Sequence, residues 1–145
     1  MREVFVLGVG QSDFGKMPER SIADLGGQAA RAAIADAGIN SAQIQAVFSS
    51  RVYDAMITSQ TIMKDLGVTR VEMVNVENAC AGGSTAIRSL YKDIAAGFVD
   101  LGIAIGVESM TTSPIAGKLI PPDRDDLDGQ LGLSMPVLFA LQAQR

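Results

Sequence analysis

Cys80 is the only cysteine in the chain, and it stands in the run Asn78-Ala79-Cys80-Ala81-Gly82-Gly83-Ser84-Thr85-Ala86. A cysteine is nucleophilic as its thiolate, so its chemistry depends on surroundings that favour negative charge. A lone cysteine is by default a small buried hydrophobe. The neighbours here argue for more. A strand-like run, Glu72 to Val76, precedes it and a helix-like run follows, which sets the thiol at a helix start. Unpaired N–H groups and the partial positive charge of a helix N-terminus favour a thiolate. Gly82 and Gly83 come next. Glycine in a helix costs about 1 kcal/mol relative to alanine, so two in succession ask for a reason, such as close approach of a ligand or another backbone. Sharp strand-to-helix turns that expose a nucleophile serve acyl transfer in other enzymes.

The rest of the inventory narrows the chemistry. There is no histidine, the side chain best suited to acid–base work near neutrality. One cysteine makes no internal disulfide, and without histidine no Cys/His metal set can be assembled, so no metal site is expected. Gly8, Gly10 and Gly15 invite a dinucleotide-binding reading, but that fingerprint needs its third glycine where Asp13 stands. The acidic stretch Asp123 to Asp128 fails as a calcium loop: with Gly129 as the loop glycine, the first ligand falls on Arg124 and the twelfth on Met135. A net charge of −4 and a pI near 4.7 offer no electrostatic footprint for nucleic acid or an anionic membrane. No apolar run reaches the roughly 18 residues of a transmembrane helix, and the first residues lack a signal-peptide layout. A cytoplasmic, reducing location is expected.

The elements that position Cys80 follow from pattern. At 145 residues, 48% of them hydrophobic, the chain suffices for one domain's core. Val4 to Val9 reads as a buried strand, and Ser21 with Asp24 resembles a capping box opening a helix. Ile22, Leu25, Ala29, Ala33 and Ala37 give that helix an apolar face for the sheet, and Gly38 stops it. Ile44 to Phe48 is a second strand, Ile57 to Leu66 a short helix closed by Gly67, and Val71 to Val76 a third strand. After Cys80, Ala86, Ile87, Leu90, Tyr91 and Ile94 define the inner face of a helix stopped near Gly97. Leu101 to Val107 is a fourth strand. Such alternation predicts an α/β layered sheet with a βαβαβαβ core. Residues 110 to 132, rich in Thr, Ser, Pro, Gly and Asp, read as an irregular loop, and Met135 to Arg145 as helical. The predicted organisation is an incomplete α/β domain over 1–109 and the start of a loop region over 110–145.

Val76-Glu77-Asn78-Ala79-Cys80-Ala81-Gly82-Gly83-Ser84 resembles the active-cysteine motif of thiolases. Gly106-Val107-Glu108-Ser109-Met110-Thr111 is similar to their Gly-x-Glu-x-Met-Ser segment, and Gly10 through Gly15 and Asp36-Ala37-Gly38-Ile39 fit at the right spacing. The likeness is nearest to archaeal and sterol-carrier-type thiolases, where Met135 to Leu141 has counterparts near the substrate-covering loop region. The related ketoacyl synthases usually carry serines after the cysteine, so Ala81-Gly82 leans towards thiolase. The resemblance implies the N-terminal part of a thiolase-like layered fold, with Cys80 attacking an acyl-CoA and coenzyme A as co-substrate rather than any permanently bound cofactor. It also implies what is missing. Family members are longer, with a second domain that supplies a catalytic histidine and a second cysteine, and the last strand of their first domain follows the loop region. A chain of this extent is expected to be inert alone and active, as an acyltransferase, only when completed. Thiolases dimerise through the third strand, which makes Val71 to Val76 the expected contact with a second copy or a complementary subunit. Two alternatives stand beside the acyltransferase: a subunit of a thiolase-like retro-aldol lyase, and a fragment that only supplies a dimerisation surface.

Overall fold

The computed structural model of the chain describes residues 1–53, 56–111 and 125–144. They belong to two compact units, Met1–Ser109 and Met110–Arg145. The first unit is a three-stranded parallel sheet of order β2-β1-β3, with β1 at Ala46–Ser50, β2 at Glu72–Val76 and β3 at Gly102–Gly106. Central β1 is buried along its whole length, as a parallel strand covered on both faces must be. Helix α1 (Ile22–Asp36) and α2 (Thr58–Met63) cover one face, where Ala30, Ile62 and Met63 meet Val47 and Ile105. Helix α3 (Gly82–Ala96) covers the other, setting Ala86 and Leu90 on Ala46 and Phe48.

Local chemistry sets the helix ends. Ser21 Oγ accepts the Asp24 N–H at 3.1 Å while the Asp24 carboxylate accepts the Ser21 N–H at 3.0 Å, a complete capping box. At the other end Gly38, at φ +64°, donates to Ala35 O and Ile39 donates to Ile34 O, which uses two carbonyls the helix leaves open. Gly97, at φ +85°, closes α3 in the same way. α2 continues as a 3₁₀ turn, Lys64–Leu66, that ends at Gly67 as the sequence predicts. The residue at its N-cap position, Ile57, makes no side-chain cap bond. Asn75 on β2 reaches across instead, its Oδ1 accepting the Ser59 N–H at 2.7 Å and the Ser49 hydroxyl at 2.9 Å.

Two expectations fail. Val4 to Val9 is not a strand. A strand exists by exchanging backbone bonds with a neighbour, and this segment's anchors lie elsewhere. Arg2 N–H donates to Ala95 O at 2.9 Å, its guanidinium pairs with Asp100, and Val9 N–H donates to the Asp36 carboxylate at 2.8 Å. Phe5 and Val6 remain 73% and 82% exposed. Gly8 and Gly10 rest on α1, where added Cβ atoms would stand 2.8 Å from the Ala37 Cβ and 2.9 Å from the Ala32 Cβ. The predicted Ala29, Ala33 and Ala37 stripe therefore meets this segment, and Gly26, Ala30 and Ile34 pack towards the sheet side instead. The second failure is on α3. Ala86 and Leu90 point inward as predicted, but Ile87 and Tyr91 are 62% and 49% exposed. The α/β class stands, with three paired strands among the described residues where four were expected.

In the second unit, Leu127–Gln130 forms a helical turn, α4, inside the predicted loop, and α5 spans Met135–Ala143 with Pro136 in its first turn. Residues 112–124, including Asp123 and Arg124 of the acidic stretch, lie outside the described residues. Among the described residues no helix is long and apolar enough to cross a membrane.

Candidate active site

The three parallel strands end together at Ser50, Val76 and Gly106. In α/β sheets ligands bind beyond the carboxyl ends of the strands. Cys80 lies there, in a turn linking β2 to α3, and its residue is exposed. One 3₁₀ turn, Ala79–Ala81, leads into the fifteen residues of α3. The thiol thus sits at a helix start, as the sequence predicts.

The two glycines after it have a specific job. A Cβ built on Gly82 would overlap Ser50 Oγ and stand 2.9 Å from the Ser50 Cβ. Ser50 is buried at the end of β1. Gly83 meets Gly106, where a Cβ on Gly106 would lie 3.3 Å from the Gly83 Cα. The first turn of α3 is therefore pressed against the ends of β1 and β3. Gly83 thus allows the approach of another backbone, at Gly106, while Gly82 makes room for the Ser50 side chain.

The turn itself is held by short bonds. Ala79 has φ +42°, a left-handed conformation uncommon for a residue with a Cβ. Its N–H donates to Glu77 Oε1 at 2.6 Å. Asn78 Nδ2 donates to Thr85 Oγ1 at 2.9 Å, and Thr85 Oγ1 donates to Ala81 O at 3.0 Å. These residues fix the backbone on both sides of Cys80. Glu77 and Ala79 stand out in the sequence only as members of the motif, since no spacing rule marks a left-handed alanine or the carboxylate that meets it.

Glu108 closes the platform from the β3 side. Its Oε2 accepts the N–H groups of Val52 and Tyr53, each at 3.0 Å, and its Oε1 lies 3.5 Å from Arg51 Nε. Just before it, Val107 N–H donates to Ser50 O at 3.1 Å. One carboxylate so ties the chain leaving β1 to the chain leaving β3. Its place in the Gly-x-Glu-x-Met-like segment was the only sequence signal for this.

A hollow of about 430 Å³ lies elsewhere, on the outer side of β2, lined by Lys64, Val68, Arg70 and Met73 among others. Cys80 is not part of its lining.

The family described as "Thiolase, N-terminal domain" matches residues 4–127. The chain is 34% identical to an acetyl-CoA acetyltransferase of Methanothermobacter thermautotrophicus, over all of this chain and 39% of that relative. It is 33% identical to the benzoylsuccinyl-CoA thiolase subunit BbsB of Thauera aromatica, over 99% of this chain and 38% of that relative. Identity to sterol carrier protein 2 of Gallus gallus is 36%, over 79% of this chain and 22% of that relative. Among solved structures, the Acat5 thiolase from Ascaris suum in complex with coenzyme A has a TM-score of 0.71 at 20% identity, covering 88% of this chain and 35% of that chain. That likeness is one of fold. The chain spans about two fifths, or less, of the length of these curated relatives. With the N-terminal domain matched across most of the sequence and a third of the residues shared with relatives along its whole length, this chain belongs to the thiolase family.

Proposed function

We propose that Cys80 is the nucleophile of a thiolase-type acyltransferase and carries the acyl group as a thioester. The observation that carries this reading is its placement: an exposed thiol in a strained turn, at the start of a long helix packed on the strand ends. The thiolate would attack the ketone carbon of a 3-ketoacyl-CoA. The C2–C3 bond then breaks, its electron pair leaving on the released acyl-CoA carbanion, which takes up a proton. Coenzyme A, as co-substrate, next attacks the cysteinyl thioester and frees Cys80. The Cys80 backbone N–H is a candidate donor to the oxyanion. The chain has neither histidine nor a second cysteine, so the acid–base groups belong to polypeptide outside these residues, and the chain alone is inert. A cytoplasmic location belongs to the same reading, favoured by a thiol that must stay reduced.

The outer edge of β2 supports association with a second copy or a complementary subunit. Among the described residues β2 pairs with β1 alone, and an open strand edge is a template for another chain. Completion by a separate chain is the alternative; the Thauera relative, itself named a subunit, extends well beyond the 38% of it that this chain covers. Reading the coding sequence beyond Arg145 separates the two: a continuing frame with a histidine motif supports one chain, a second frame a split enzyme.

The chemistry is tested by incubating the assembled protein with an acyl-CoA and weighing it intact. An acyl adduct that disappears in Cys80→Ala supports the nucleophile. No adduct, or one that survives that substitution, refutes it.

A further inference from the structure

We propose that Glu77 is a positioning residue, whose carboxylate holds Ala79 in the left-handed conformation that sets Cys80 at the start of α3. The proposal takes its functional meaning from the reading of Cys80 as nucleophile. Its evidence is independent of that reading.

The left-handed region is unfavourable for any residue with a Cβ, because the Cβ crowds the backbone, so an alanine stays there only when its surroundings hold it. Ala79, at φ +42°, is the residue directly before Cys80. Its conformation sets the direction in which the chain enters the 3₁₀ turn Ala79–Ala81 and then α3. The side chain of Asn78 gives that turn no cap. It is committed to Thr85 instead, at 2.9 Å. The Ala79 N–H is taken by Glu77 Oε1 at 2.6 Å. Glu77 directly follows β2, so the carboxylate is anchored by the sheet through one peptide. On the far side of Cys80, the Ala81 N–H donates to Asn78 O at 2.9 Å, and Thr85 holds the Ala81 carbonyl. Release of Ala79 would let the entry to this turn relax while the helix behind it stayed in place. Cys80, the next residue, would then leave its place in the 3₁₀ turn at the head of the helix. Access to the thiol would change little, since the residue is already exposed.

A thiol probe reports on Cys80 alone, because the chain has one cysteine. The test compares iodoacetamide alkylation rates near neutral pH, followed by intact mass, across a cycle of variants. Glu77→Ala should slow alkylation by about three- to tenfold, and speed exchange of the Ala79 amide proton. Glu77→Gln keeps an acceptor oxygen and should stay within about twofold of the parent. Glycine enters the left-handed region freely, so adding Ala79→Gly to Glu77→Ala should restore the rate to within about twofold. In the Ala79→Gly background, replacing Glu77 should have no further effect on the rate. The proposal is overturned if Glu77→Ala leaves both rate and amide exchange unchanged. It is equally overturned if Ala79→Gly gives no rescue, or if Glu77→Gln, whose amide oxygen can still accept the Ala79 N–H, falls as far as Glu77→Ala. Loss of acylation by acyl-CoA with this cycle intact would count against the nucleophile reading alone.

Discussion

Gly82→Ala is the most searching single change, because two principles give opposite signs for it. As a helix substitution it should stabilise, by up to about 1 kcal/mol. The packing says otherwise. The new Cβ overlaps Ser50 Oγ, and turning that hydroxyl aside leaves the Ser50 Cβ only 2.9 Å away. Ordinary carbon contacts begin near 3.4 Å, so α3 or the end of β1 must give way by several tenths of an ångström. Ser50 is buried at the end of the central strand, and overpacking of this kind costs about 1–3 kcal/mol. Packing wins. With a urea slope of roughly 2 kcal/mol/M, a net loss of about 1–2 kcal/mol lowers the unfolding midpoint by about 0.5–1 M. The movement also shifts the turn carrying Cys80, so alkylation of the thiol should change together with stability. Ser50→Gly removes both clashing atoms and should recover most of the loss when combined with Gly82→Ala, whereas Ser50→Ala, which keeps the Cβ, should recover less. A raised midpoint for Gly82→Ala, or no recovery with Ser50→Gly, would refute the packing of α3 on β1 described above.

Other consequences can be measured directly. The Ser21 hydroxyl and backbone N–H, in that order, hold the Asp24 carboxyl below its ordinary value of 3.8. The folded state therefore binds this proton less readily than the unfolded one. The stabilisation is complete above the ordinary carboxylate range and is lost as pH falls below about 4 through the lowered value. Exchange of the amides in the first turn of α1 should accelerate over that acid range, and Ser21→Ala should weaken the dependence. For Glu108→Ala, the N–H groups of Val52 and Tyr53 lose the Glu108 carboxylate as an acceptor, and Arg51 loses its ion pair with it. We expect a loss of roughly 1–3 kcal/mol and faster exchange of those two amides. Glu108→Gln, which keeps one acceptor oxygen, should lose less.

Much of the scaffold was legible because it rests on neighbours in sequence. The Ser21–Asp24 box, the glycine stops at Gly38, Gly67 and Gly97, and the helix following Cys80 all depend on bonds spanning a few residues. The strands Ala46–Ser50, Glu72–Val76 and Gly102–Gly106 lie within or close to the apolar runs that predicted them. Val4 to Val9 has the same apolar texture, yet becoming a strand requires a partner whose backbone no local pattern supplies. The faces of α3 were misjudged at Ile87 and Tyr91 for a related reason. Periodicity shows that an apolar stripe exists, but the sheet beneath covers only part of its width.

The glycines beside Cys80 mark the division most clearly. Sequence alone placed one thiol at a helix start and required a close approach at Gly82 and Gly83, because strand, turn and helix signals are local properties of the chain. That the approach is to Ser50 and Gly106, and that Glu108 ties the chain after β1 to the end of β3, was decided only in the folded chain. Those contacts join residues more than twenty positions apart, and their existence depends on strand order and register, which local propensities do not encode.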